Sequence, residues 1–210
     1  MGRGGSPTNW TFNSDSAATA CASIGCGTGA MTNITSSLTV SGCSISGNKC
    51  VVGTAGTTIT LSAIPSTYAD LIVRIFGEND QTGAENVIGT FNGDATTSDY
   101  GTYLTYGITN APAGGINEAN TLLLGNLNGS SPANGMGAID CLIPGYSNTT
   151  FTKTMYCVSE QYNGLASGIP QNLAATGQWN GSSSITSLTL TIPPTFKFIV
   201  GTTVRVLGVQ

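Results

Sequence analysis

Turn residues punctuate this chain at short intervals, and nowhere does an apolar pattern persist at helical period. Asn92-Gly93-Asp94, Ala113-Gly114-Gly115, Asn128-Gly129, Asn134-Gly135, Asn163-Gly164 and Asn180-Gly181 all carry residues that tolerate positive φ. Between them lie short runs rich in Thr, Val, Ile and aromatic side chains. Thr57 to Ala63 alternates with period two and puts Ile59 and Leu61 on one face. Pro65 then breaks the ladder. Leu71 to Phe76 is dense enough to be expected buried on both faces except at Arg74. Further strands are expected over 86–92, 101–108, 119–126, 136–143, 151–159, 173–179, 185–192 and 203–209. Asn117 to Leu124, which ends at Gly125, reads as a strand with a polar approach. Strands this short and this regularly spaced predict an all-β chain, a jelly-roll-like antiparallel β-sandwich.

Residues 1–55 differ in composition from residues 56–210. They are small and polar, hold four of the six cysteines, and carry few large apolar residues beyond Trp10 and Phe12. The division predicts a jelly-roll-like domain over 56–210 preceded by an N-terminal extension over 1–55. That extension is either an arm lying on a neighbour or a small β-subdomain, with short strands at 33–40 and 43–52.

Charge narrows the function. Only 8% of residues are charged, against about 25% in an average soluble domain. A surface so poor in charge is weakly protected against association, so part of it is expected to be covered by partners. The six basic residues, Arg3, Lys49, Arg74, Lys153, Lys197 and Arg205, look singly scattered, and the net charge is −4. No basic stripe is available for phosphates, so no nucleic-acid partner is expected. No stretch approaches the roughly 18 apolar residues of a spanning helix, so no membrane partner is expected either.

Catalytic chemistry is scarce. The chain has no histidine, which removes His-activated nucleophiles and imidazole metal sites. Asp70, Glu78, Asp140 and Glu160 are acid/base candidates only by default. Asn92, Asp94 and Asp99 share one loop and read either as oxygen ligands for Ca²⁺ or as turn residues bonding their own backbone. The turn reading is preferred, so no metal, cofactor or catalysis is expected.

The cysteines read best as disulfides in a protein that ends up outside the cell. Cys21, Cys26, Cys43 and Cys50 have spacings that fit a zinc site poorly. Cys141 and Cys157 permit a sharper expectation. A hairpin turning around 147–151 sets them directly opposite each other, close enough for a bridge or for two packed thiols. Tyr100, Tyr103 and Tyr106 crowd one strand-like run, where they serve either core or interface packing or a glycan site.

Five segments carry a resemblance. Thr60-Leu-Ser-Ala-Ile-Pro-Ser-Thr-Tyr-Ala-Asp-Leu-Ile-Val73, then Phe91-Asn-Gly-Asp94 followed by Tyr100, resemble the opening strands and a hairpin of a family of tailed-phage virion proteins. Gly145 to Lys153, with its Tyr-Ser-Asn-Thr-Thr core, is similar to another hairpin of that family. Trp179 to Leu190 and Phe198 to Gly208 are similar to its closing strands. The order is the family's over about 58–208; Val206-Leu207-Gly208 departs from its terminal Tyr, and the cysteine-bearing N-terminus has no counterpart there. The resemblance implies a non-enzymatic virion structural protein, a capsid decoration (cement) protein on the outer surface of the head, assembled in the host cytoplasm. Its partners would be itself, as a homotrimer, and the major capsid protein or other virion proteins. The alternative it leaves is a tail-fibre or receptor-binding module that recognises host-surface glycan.

Overall fold

The computed structural model describes residues 31–108, 111–130, 135–162, 170–193 and 195–210, and its elements are almost all strands. In chain order these are β1 (Thr32–Asn33), β2 (Thr39–Ser41), β3 (Ser44–Ser46), β4 (Lys49–Val51), β5 (Thr58–Ser62), β6 (Asp70–Gly77), β7 (Glu85–Phe91), β8 (Tyr100–Ile108) and β9 (Ala111–Ala119). They continue as β10 (Leu123–Leu127), β11 (Gly137–Ile143), β12 (Lys153–Tyr162), β13 (Pro170–Trp179), β14 (Ser187–Thr191) and β15 (Thr203–Val209).

Two antiparallel sheets pack face to face as a β-sandwich. The small sheet runs β10-β7-β14-β5-β2, and the large one runs β3-β4-β15-β6-β11-β12-β13-β8-β9, with β1 also on β15. In an eight-stranded jelly roll, strands one, eight, three and six form one sheet and two, seven, four and five the other. Here β5, β14, β7 and β10 fill the first set, and β6, β13, β8 and β9 the second. The β11–β12 hairpin is wedged between β6 and β13, and β15 is added beyond β6. The fold is a jelly roll with its larger sheet widened.

The core follows from alternation. Ile59 and Leu61 of β5, Leu188 and Leu190 of β14, and Val87 and Phe91 of β7 face Val73, Ile75, Ile139, Met155, Ala175, Val204 and Val206 of the large sheet. All of these are buried. Burying one such side chain contributes about 1.5–3 kcal/mol.

Three sequence expectations are corrected. β6 is not buried on both faces: Leu71, Val73 and Ile75 point inward, while Arg74 and Phe76 lie exposed. Neighbouring sheet covers only one side of this strand. The Ala113-Gly114-Gly115 run is no turn but lies within β9, beside a register shift between Leu104 and Tyr106 that takes up an extra residue. Asn117 to Leu124 is not one strand, because the chain turns at Asn120 (φ 64°) and passes from the large sheet to the small one.

The boundary between 55 and 56 also marks no break in the structure. β2 pairs with β5 in the small sheet and β4 pairs with β15 in the large one. Ile34, Leu38, Cys50 and Val52 belong to the common core. Buried Thr35 takes the place of a strand partner: its hydroxyl accepts the Val206 N–H at 2.8 Å and donates to the Val206 carbonyl at 3.3 Å. Residues 1–30, with Cys21 and Cys26, lie outside the described residues.

The segments that carry the family resemblance act as latches in this fold. Asn92 and Gly93 adopt left-handed φ values of 53° and 69°, which closes a tight turn after β7. The Asn92 side chain then accepts the N–H groups of Thr186 (2.8 Å) and Ser187 (3.1 Å) and donates to the Ser184 carbonyl (2.8 Å). It stitches the approach to β14 onto the end of β7. Tyr146 is fully buried, and its hydroxyl donates to the Pro65 carbonyl. Lys153 is buried too, its ammonium donating to the Phe151 and Ser182 carbonyls at 2.8 and 3.1 Å.

These buried groups set the response to alkali. Burial pushes the Tyr146 and Tyr100 phenols above their usual value and pulls the Lys153 ammonium below its own. The tyrosine contribution to stability is therefore complete below about pH 10 and is lost as pH rises through the folded-state values. Lys153 acts in the opposite sense. The folded state sheds its proton first, so its contribution is present above about pH 10.5 and lost as pH falls. A Lys153→Met variant should accordingly lose stability more steeply than the parent between about pH 9 and 11. Denaturant midpoints measured across that range check it, and parallel curves would contradict the assignment.

Candidate functional site

The two sheets present different outer faces. On the small sheet the outward positions are mostly hydroxyls: Thr58, Thr60 and Ser62 of β5 lie opposite Thr191, Thr189 and Ser187 of β14. The Thr60 and Thr189 hydroxyls meet at 3.3 Å. On the large sheet the outward positions include bulky apolar side chains. Tyr156, Val158 and Tyr103 are 56%, 52% and 55% exposed, and Leu142 is exposed beside them.

Strand register assembles these into a row. Ile72 of β6 lies opposite Leu142 of β11, which lies opposite Tyr156 of β12. Tyr156 faces Thr176 of β13, which faces Tyr103 of β8. The row crosses four inter-strand spacings, about 19 Å. Alternation drives the inward side chains of these strands into the core, so the outward ones have only solvent. β11 and β12 carry apolar residues at both parities, a signal present in segments that the sequence marks only as further strands.

The tyrosines separate by position. Tyr100 is buried, so it packs the core and cannot stack on a ligand. Its hydroxyl accepts the Phe91 N–H at 3.0 Å and donates to the Asp94 carbonyl at 3.0 Å. Tyr103 stands on the open sheet face rather than on a loop. The Tyr106 side chain lies outside the described residues.

The Asn92–Asp99 loop closes as a turn whose Asn92 and Asp94 side-chain oxygens accept from protein N–H groups. Asp94 accepts the Thr96 N–H at 2.9 Å and the Trp179 indole N–H at 2.8 Å, and these bonds hold its carboxyl below the usual range, the indole bond most. Among the described residues no group of three or more His, Cys, Asp or Glu is placed to hold a metal. Of the four default carboxylates, Glu160 is exposed on β12, directly opposite Ala138 of β11. Asp70 accepts the Gly145 N–H, Glu78 is buried with its carboxyl pushed up by desolvation, and Asp140 pairs with Arg74 at 3.0 Å.

The structure sets Cys141 directly opposite Cys157 in the β11–β12 hairpin, and the two are joined by a disulfide facing the core. A second disulfide, Cys43–Cys50, closes the β3–β4 hairpin.

Basic residues that look scattered in the sequence converge at the other end of the face. Arg205 of β15 lies directly opposite Arg74 of β6. The register of β4 on β15 sets Lys49 at the same rank. These three residues line a cleft of about 590 Å³ together with Asp140, Phe76 and Met136. Only non-local strand pairing reveals this, since the three cations lie on three separate strands.

No protein family, curated protein or solved structure matches the chain.

Proposed function

We propose that this chain is a non-enzymatic structural subunit of a tailed-phage virion, a decoration protein that seats on the outer surface of the assembled head as a homotrimer. The observation that carries the reading is the segregation of exposed apolar side chains. Leu142, Tyr156, Val158 and Tyr103 gather over β11, β12 and β8, while the outer face of the small sheet is mostly hydroxyl-bearing. A chain with only 8% charged residues whose exposed large hydrophobics on strands, among the described residues, all lie on one sheet is suited to a broad contact with another protein. The occupant proposed for that half of the face is the major capsid protein. The trimer follows from the family resemblance, and closing copies around an axis would cover the open strands at the sheet margins. A subunit that binds only the assembled shell stabilises it by mass action.

The test is the position of the protein on purified virions, by cryo-EM or immunogold labelling. Copies spread over the head support decoration, and label confined to the tail tip overturns it. A paired Leu142→Thr, Tyr156→Thr variant should lose little melting temperature, because both residues face outward and Thr suits an exposed strand position. Its affinity for shells should fall by about thirtyfold or more, the loss expected when central interface anchors are removed. Unchanged shell binding would place the contact elsewhere.

A further inference from the structure

We propose that the cleft at the β4–β15–β6 end of the large sheet binds a carboxylated sugar. This goes beyond the assembly role: the apolar contact half is built on Leu142, Tyr156, Val158 and Tyr103, none of which lines this cleft.

The first argument is charge. The cleft holds Lys49, Arg74 and Arg205, half of the chain's six basic residues, against one carboxylate, Asp140. Its local charge of about +2 stands out in a chain whose net charge is −4. Like charges directly opposite each other on neighbouring strands are destabilising, and Arg74 and Arg205 are such a pair. Asp140 neutralises only Arg74. Among the described residues neither the Arg205 guanidinium nor the Lys49 ammonium has an ion pair or side-chain hydrogen bond. A repulsive arrangement that the fold leaves only half compensated is one that a bound anion relieves.

The second argument is the company these cations keep. Phe76 and Met136, 48% and 43% exposed, stand in the same cleft. An aromatic face beside a guanidinium suits a ligand with both an apolar ring surface and an anionic group. Asp140 selects among anions. Arg74 engages its Oδ1, so Oδ2 is free to accept from hydroxyl groups and would repel a dense polyanion. A ligand with one carboxylate and several hydroxyls meets every one of these demands. The carboxylate would take Arg205 and Lys49, the ring would lie against Phe76, and hydroxyls would donate to Asp140. The cleft volume lies in the range of small-ligand sites, and one acidic side chain of a protein partner would fill only a corner of it.

The experiment is calorimetric titration of the full chain with a hexuronate disaccharide, its neutral hexose counterpart, inorganic phosphate and an oligoglutamate peptide. The uronate is expected to bind saturably and at least about tenfold more tightly than the other three. Arg205→Gln and Lys49→Gln should each weaken it about tenfold or more, while Lys197→Gln, away from the cleft, should leave it unchanged. Arg205→Gln should melt no lower than the parent, since it removes a like-charge contact and no internal bond. The proposal is overturned by absence of uronate binding, by equal binding of the neutral sugar, or by phosphate or oligoglutamate binding as tightly. Uronate affinity insensitive to both cleft variants overturns it as well.

Discussion

Replacing Trp179 with alanine should cost about 3–5 kcal/mol, a large share of the roughly 5–15 kcal/mol that holds a domain folded. Trp179 ends β13 with its indole almost wholly buried, tilted against the Phe91 ring at a centroid distance of 5.6 Å. Its N–H reaches Asp94 in the turn after β7, so one side chain joins the large sheet to the small one. Gly181 lies against the same ring, where a Cβ would collide with it. The melting temperature should drop by roughly 6–20 °C for a chain of this size. Trp179→Phe separates the two contributions. It keeps an aromatic against Phe91 but loses the bond to Asp94, so a milder loss is expected. A shift of only a degree or two in the alanine variant would show that this corner of the core is not what the contacts make it.

The second large effect belongs to the Cys141–Cys157 bridge. It closes a loop with a sequence separation of 16, for which the chain-entropy account gives about 3 kcal/mol. The Cys43–Cys50 bridge, with a separation of 7, is worth about 2.4 kcal/mol on the same account. A Cys141→Ala, Cys157→Ala double variant should therefore melt lower than Cys43→Ala, Cys50→Ala. Both bridged sulfurs of the inner pair sit in the core, so strong reductant should act slowly on the native protein and readily once it opens. Melts of both variants with and without reductant test the ranking. If the inner pair can be removed without loss, the hairpin is held by its ladder and packing alone.

Local pattern carried much of this fold. Period-two alternation at 57–63 located Ile59 and Leu61 in the core, and the residues around 147–151 fixed a hairpin register that sets Cys141 against Cys157. The failures have a common physical origin. Whether the second face of β6 is covered depends on what lies above the sheet, which strand sequence does not encode. Gly114-Gly115 supplies the flexibility of a turn, yet in β9 that flexibility accompanies a bulge against β8. The compositional contrast of 1–55 hid that β2 and the β3–β4 hairpin extend two different sheets. The candidate site was the least legible part. Lys49, Arg74 and Arg205 stand 25 and 131 positions apart along the chain, and only the order β4-β15-β6 makes them neighbours.

That same order has a consequence for how the protein is made. β15 lies between β4 and β6, and its contact with Thr35 spans 171 positions. A nascent chain therefore emerges from the ribosome with β4 lacking its large-sheet partner and one edge of β6 bare, until residues 203–209 arrive. At about 5–20 residues per second, translation leaves those edges open for several seconds or more. Pairings this distant also close slowly once the chain is complete. During that interval the open edge of β6 is a template for another chain, and the yield of folded protein will depend on how well neighbouring nascent chains are kept apart.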